Sequence, residues 1–550
     1  MSLASLFLAR LYNLSPAQSG VRRHRGIRVA MADGATLATE VFEPRAKGPH
    51  PTLLMREPYG LSGFSRIAEL FAERGYIFVL QACRGTDRSD GEFDPLTHER
   101  DDGLATLAWI KAQPWFDGRL GTTGPSYLGY AQWAISDSLP PGAAMATKVT
   151  SAEFRSVVFP GGGFALGLWL SWLQTVEGLR GDVLGTARRM MSGGIERATL
   201  RATMTLPLSN ADQRAIGHKV PFWNKWLDNA VDNEGFWAPL DHTVRISAAT
   251  PPNSFTSGWY DFMLDQLIRD YQSMRAAGHT PHLTIGPWFH VSSDLQRESV
   301  RQTFEWMDHY LLGTRPLRLK PVLLHVSGRE HWYSFDSFPP PRRELALWYL
   351  HPDSVLSQRP VRTTPPDTYR YNPADPTPAI GGAMFAFSGA GPVDQAELEA
   401  RKDVLSYTSV PLLEEVTLVG QPTAIVFMRA DLETADLFVR LCDVAPSGQS
   451  INITDGYQRL TAKTDRDADG VWQVRLRLHH TGHSFKVGHR LRVLIASGAH
   501  PRFARNTGTS EALGDATTLK PARIEIFHDP NRPSAVHLPM VDLPTESAIT

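Results

Sequence analysis

At 550 residues the chain can bury a large core, enough for roughly two to four domains. Its 56 Lys+Arg against 57 Asp+Glu leave it without the basic surplus by which proteins hold nucleic acid. Two cysteines far apart, Cys83 and Cys442, imply no disulfide framework and fit a reducing compartment, so a cytoplasmic location is expected.

The opening residues, MSLASLFLARLYNLSP, are interrupted by Arg10 and lack the charged start, long apolar run and cleavage site of a signal peptide. The spacing of Leu3, Leu6, Leu8 and Leu11 predicts a short helix over 3–12 laid on the body. No stretch reaches the roughly 20 apolar residues of a membrane-spanning helix. TLATEVF (36–42), PTLLM (51–55) and IFVLQA (77–82) read as strands. FSRIAELFAER (64–74) reads as a helix stopped by Gly75, and Asp101-Asp102 are placed to cap the helix GLATLAWIKAQ. This βαβ rhythm predicts an α/β sheet over residues 1–158.

From 159 to 245 the rhythm changes. FALGLWLSWLQ, TARRMM and PFWNKWLDNAV read as helices broken at GGG and NEG, with no strand between them, so a helical insertion is predicted. The α/β rhythm resumes over 246–345 with PPNSFTSGW and HLTIGPW. Past the proline cluster PPPRR, residues 346–550 carry short alternating runs: EVTLV, TAIVFMRA, LFVRLCDV, WQVRLRL, HRLRVLIA and ARIEIFH. Strands at that spacing predict an all-β sandwich.

Chemistry concentrates at GTTGPSYLGYAQW, from Gly121. A strand ends here, a helix begins, and Ser126 stands at the corner with Gly124 two residues before it. A strand–serine–helix corner aims a hydroxyl out of the fold, as in a nucleophile elbow. The usual elbow is G-x-S-x-G, however, whereas here Leu128 precedes Gly129, so a plain turn fits equally well at this point. A serine nucleophile also needs a histidine base and a carboxylate that orients it. Two later strand-like segments end in Asp261 and His290, in the Ser–Asp–His chain order of α/β-hydrolases. An oxyanion hole needs two donors. The Tyr127 amide follows the nucleophile, and the hydroxyl of Tyr59, in REPYG after an earlier strand, is the candidate for the second.

These residues resemble the CocE/NonD hydrolases, relatives of the S15 X-prolyl dipeptidyl peptidases and the α-amino-acid ester hydrolases. The resemblance runs over most of the chain: VAMADGATLATEVFEP, PTLLMREPYG, QACRGTDRSDGEFDP, the Ser126 region, SGWYDFM, IGPWFH and HPRFARNTG. G-x-S-Y-x-G is the elbow of that family. The resemblance implies an α/β-hydrolase core with an inserted helical cap and a C-terminal jelly-roll-like domain. It implies Ser126 as nucleophile, Asp261 as orienting acid, His290 as base, and Tyr59 with the Tyr127 amide as oxyanion hole. One departure is Cys83, where relatives often carry Asp; a small buried residue is expected there. The expected pocket lies between cap and core, lined by Trp169, Trp172, Trp259, Phe262 and Phe289, with ordinary core packing as the alternative for these aromatics, Trp259 above all.

The expected activity is hydrolysis of a small-molecule ester or amide with an apolar acyl group, with no cofactor or metal. Expected too are no nucleic-acid partner and no membrane span; a homo-oligomer is compatible with the sequence. An X-Pro peptidase, an amino-acid ester hydrolase or acylase, and an acyltransferase share the same triad. A sugar-binding β module on a relic hydrolase is the rival from another class, and the intact Ser/Asp/His set argues against it. His479, His480 and His483 form H-H-x-x-H but not the H-E-x-x-H of zinc proteases, so structural roles are expected for them. Glu177 is the nearest cap acid in sequence, with no position assigned.

Overall fold

Four strand ends along one edge of a parallel sheet position the site. The computed structural model describes residues 3–229 and 233–544. Its first sheet comprises β1 (Val21–Ala30), β2 (Thr36–Pro44), β3 (Thr52–Glu57), β4 (Ile77–Ala82), β5 (Leu120–Pro125), β6 (Ala144–Lys148), β7 (Asn253–Tyr260), β8 (His282–Phe289), β9 (Val322–Val326) and β10 (His331–Phe335). The spatial order is β1-β2-β4-β3-β5-β6-β7-β8-β9-β10. From β4 to β9 all neighbours are parallel. β1, β2 and β10 join antiparallel.

The central strands are apolar runs because both faces are covered. Leu53, Met55, Phe78 and Leu80 pack with Phe71, Phe304 and Met307, whereas Leu54, Ile77 and Val79 pack with Leu107, Ile110 and Ile135. This is the period-two alternation of a strand, shared between helices on opposite faces. Parallel strands carry their functional loops beyond their C-terminal ends. Here the ends of β3, β5, β7 and β8 lead directly to Tyr59, Ser126, Asp261 and His290.

Helices fill the chain between β6 and β7; the longest is Leu166–Gly181. Leu166, Leu168, Trp169, Leu170, Trp172, Leu173 and Val176 are all buried, because this helix lies between the α/β core and the other inserted helices. From Glu344 onward the chain forms a second, fourteen-stranded sheet, whose first strand Glu344–His351 pairs antiparallel with its last, Ala535–Met540. Leu437, Val493, Trp472 and Ile524 belong to its own core. The architecture is therefore an α/β-hydrolase core with a helical insertion, followed by a β-rich domain.

Several local expectations need correction. The first helix, Leu3–Leu11, lies on the core through Leu8 and Ala9, but Leu6 and Leu11 are about half exposed, whereas Ser5 and Tyr12 are buried. Ser5 reaches the buried carboxylate of Glu73, so a polar contact sets the face. The side chain of Leu3 lies outside the described residues. Asp101-Asp102 do not cap a helix, which already starts at Glu99; Asp102 instead pairs with Arg84 at 2.6 Å. NEG is not a plain break, since Asn233 caps a one-turn helix, Glu234–Trp237, by accepting the Phe236 amide. The helix read over 221–231 ends at Asp228, and positions 230 and 231 lie outside the described residues.

Candidate active site

Ser126 occupies the corner between β5 and the helix Tyr127–Trp133, with φ 57° and ψ −125°. Such a backbone costs a non-glycine residue roughly 1–3 kcal/mol and needs surrounding structure to hold it. The Ser126 amide donates to the Lys148 oxygen at 2.9 Å, and its carbonyl accepts from the Thr150 hydroxyl at 2.6 Å and the Gly129 amide at 2.8 Å. The two flanking glycines have steric causes. A Cβ on Gly124 would stand 2.5 Å from the Leu128 Cβ, and one on Gly129 would stand 2.5 Å from the Thr150 Cβ. The helix passes Thr150, just beyond the end of β6, at Gly129, three residues after the serine, which accounts for the G-x-S-Y-x-G spacing.

His290 follows β8 and Asp261 follows β7. His290 Nε2 lies 3.1 Å from Ser126 Oγ, and Nδ1 lies 2.8 Å from Asp261 Oδ1. Asp261 is fully buried and also accepts the Met263 amide at 3.1 Å and the Ser257 hydroxyl at 2.8 Å. An acceptor at Nδ1 places the neutral ring's proton there and leaves Nε2 free to take the serine proton.

Tyr59 lies beyond β3. The Glu57 side chain accepts the backbone amides of Tyr59 at 2.5 Å and Gly60 at 2.8 Å, which fixes the turn. The indole N–H of Trp172 donates to the Tyr59 hydroxyl at 3.1 Å. An indole can only donate, so the phenol accepts there and keeps its own proton for another partner, next to Ser126. Burial pushes the Tyr59 hydroxyl up to about 12, against the opposing effect of the Trp172 hydrogen bond, so it remains a donor at neutral pH. The Tyr127 amide is the first of its helix, where N–H groups have no intrahelical acceptor. The Tyr127 ring plays a different part: its hydroxyl donates to Glu99 at 2.8 Å and accepts from the Leu96 amide.

Ser126 and His290 open into a cavity of about 490 Å³ walled by Phe154, Trp169, Trp172, Phe262 and Phe385. Among the described residues, no Asp, Glu, Lys or Arg lines it.

Residues 33–292 match the family model of the X-Pro dipeptidyl-peptidase (S15 family), and residues 317–537 match that of the X-Pro dipeptidyl-peptidase C-terminal non-catalytic domain. The cocaine esterase of Rhodococcus sp. (strain MB1 Bresler) is 29% identical over 94% of this chain and 98% of its own. The chain carries both of these domains and is a serine hydrolase. Two solved structures, each covering 96% of this hydrolase and 98% of their own chains, share its fold. They are an α-amino acid ester hydrolase (20% identical, TM-score 0.79) and an aminopeptidase from a Thaumarchaeota archaeon of marine sediment (22% identical, TM-score 0.77).

In this hydrolase, Trp169, Trp172 and Phe262 line the cavity, whereas Trp259 and Phe289 do not. Alternation along β7 turns Trp259 away, where its N–H donates to the His325 oxygen at 2.6 Å and its ring covers Gly482 of the β-rich domain. Phe289 pairs with Tyr260 across β7–β8 and packs in the core near it. Sequence reading missed Phe154 and Phe385. Phe385 comes from a loop of the C-terminal half and packs on both Phe262 and His290, at ring separations of 6.0 and 5.8 Å. No local signal marks it. Glu177 points elsewhere, to Arg180 at 2.9 Å and His218 at 3.4 Å. Cys83 is buried beside Glu99, and burial holds its thiol pKa well above the ordinary value, so it is no rival nucleophile. The three histidines diverge: His479 and His480 face Asp265, whereas His483 faces Asp443. Among the described residues no cluster of three or more His, Cys, Asp or Glu is arranged to hold a metal, and no helix is long and apolar enough to cross a membrane.

Proposed function

We propose that this hydrolase cleaves neutral carboxylic esters with apolar acyl groups through an acyl-enzyme on Ser126. His290 takes the serine proton as Oγ attacks the ester carbonyl, and Asp261 holds the ring and stabilises the imidazolium. The developing oxyanion accepts from the Tyr59 hydroxyl and the Tyr127 amide. Collapse expels the alcohol, which receives the proton from His290. Water then attacks the acyl-enzyme by the same route, so acid and alcohol are the products and neither redox change nor cofactor is required. In this reading residues 1–158 and 246–345 supply the chemistry, the insertion 159–245 supplies one wall, and the jelly-roll-like domain 346–550 supplies another. We place the enzyme in the cytoplasm.

The observation that carries the substrate class is the uncharged cavity wall. X-Pro dipeptides and α-amino esters bring a free ammonium, and burying that charge calls for a carboxylate partner. Among the described lining residues none is present. An apolar wall selects by buried area, at about 25 cal/mol per Å². The test is kcat/KM on 4-nitrophenyl butyrate and benzoate beside an α-amino ester and an X-Pro anilide. The neutral esters should exceed the amine substrates by about 100-fold or more, the weight of an unpaired buried charge. A preference for the amine substrates would overturn the assignment. Product analysis with added alcohol separates hydrolysis from acyl transfer.

A further inference from the structure

His479 lies between strands Trp472–Arg477 and Thr481–Phe485 of the β-rich domain, with its side chain buried. Its two ring nitrogens face two different acceptors. Nε2 is 2.7 Å from the backbone oxygen of Asp261, and Nδ1 is 3.1 Å from Asp265 Oδ2. A peptide oxygen only accepts. The Asp265 carboxylate is committed as an acceptor too, since its Oδ1 takes the His480 amide at 3.0 Å and faces His480 Nδ1 at 2.7 Å. A ring between two acceptors satisfies both only with a proton on each nitrogen. The Asp261 oxygen also accepts the Leu264 amide at 3.1 Å, at the start of the helix that carries Asp265. One imidazolium thus joins the turn after β7, that helix and the β-rich domain.

We propose that the His479 imidazolium is a positioning residue for the triad, pinning the Asp261 turn from the β-rich domain so that this domain sets the geometry of the catalytic acid. The inference rests on the reading of Asp261 as that acid.

The charges around the ring fix the sign of its pH dependence. Burial disfavours the imidazolium, but Asp265 outweighs it, and the pKa of His479 is raised above the ordinary 6.5. The Arg502 guanidinium opposes the charge, and the nearby Asp455 carboxylate is bound to Arg440 at 2.7 Å and Arg502 at 2.5 Å. His480 shares Asp265. A raised folded-state pKa means that the clamp is intact below that value and is lost as pH rises through it.

The experiment is a pH profile of kcat, normalised to sites titrated with a fluorophosphonate. The wild type should show an alkaline fall. His479→Gln keeps a donor toward Asp261 but cannot titrate, so this fall should disappear. Asp265→Asn removes the partner of the charge and should move the fall to lower pH by about one unit or more. His479→Phe lacks any donor and should lose about 10- to 100-fold in kcat at unchanged KM, the scale of a small misplacement of a reacting group. An alkaline limb that is absent in the wild type, or identical in His479→Gln and Asp265→Asn, overturns the proposal even if His479→Phe fails to fold. A wild type that is not labelled at Ser126 would instead overturn the triad reading itself.

Discussion

The floor and the walls of the proposed active site are built by different means. The floor consists of four positions just beyond strand ends of one parallel sheet, and hydrogen bonds to the backbone of Ser126, Tyr59 and Asp261 hold three of them. Ser126 is tied to Lys148 of the neighbouring strand, and the Tyr59 turn is tied to Glu57. The walls are side chains: Trp169 and Trp172 from the inserted helices, Phe385 from a loop of the C-terminal half, and Phe154 and Phe262 from the core. In the proposed reading the reaction depends on backbone geometry, whereas selectivity depends on packing. Floor substitutions should lower kcat, and wall substitutions should raise KM.

The sharpest test on the floor is Asp261→Asn. An amide at this position favours the wrong His290 tautomer, so kcat should fall by roughly 10⁴. Steady-state kinetics on a 4-nitrophenyl ester that showed a loss under tenfold would place the orienting acid elsewhere. Tyr59→Phe removes one oxyanion donor and should lower kcat by roughly 10²–10³ at nearly constant KM. A change mainly in KM would move Tyr59 from the floor to the walls. Trp172 belongs to both regions, since its ring lines the cavity and its N–H holds the Tyr59 hydroxyl. Trp172→Phe should therefore raise KM and lower kcat together, each by about tenfold.

Phe385→Ala tests the wall alone. It should raise KM for a benzoyl ester by about tenfold, the weight of one aromatic contact surface, with kcat preserved. A lost kcat would show that Phe385 also orients His290. The smallest effect is expected in stability. Burial, opposed by the Tyr59 and Gly60 amides, raises the pKa of Glu57 to about 8. A raised folded-state pKa makes Glu57 increasingly destabilising as pH climbs from its unfolded value near 4.5 toward about 8. Glu57→Gln keeps an acceptor for the two amides and removes that dependence. Thermal melts should show the variant equal to wild type at pH 4 and roughly 2–4 °C more stable at pH 8. A variant less stable at pH 8 would mean that the charge itself holds the Tyr59 turn.

The same division explains what the sequence could show. Ser126, Asp261 and His290 were legible because a strand end is a local pattern and the residue beyond it is fixed by the chain. The central strands were legible because burial on both faces leaves unbroken apolar runs. β1 was not, since VRRHRGIRVA is a charged edge strand with most of its side chains exposed. Phe385 was not, because a loop residue far along the chain meets His290 only through tertiary packing. Trp259 misled for a related reason: it stands two residues before Asp261, but the alternation of β7 sends its ring into the interface with Gly482. The corner at Gly124 and Gly129 was readable in outline, and only the structure shows Thr150 as the cause of the later glycine.

The central claim is that Ser126 carries the acyl group. Its most direct test is the intact mass and peptide map of the protein after reaction with a fluorophosphonate, beside Ser126→Ala checked for folding by circular dichroism. One adduct per chain on the Ser126 peptide, with no adduct and nearly no esterase activity in the folded alanine variant, is the predicted result. An adduct on another residue, or an alanine variant that retains full activity, would contradict it.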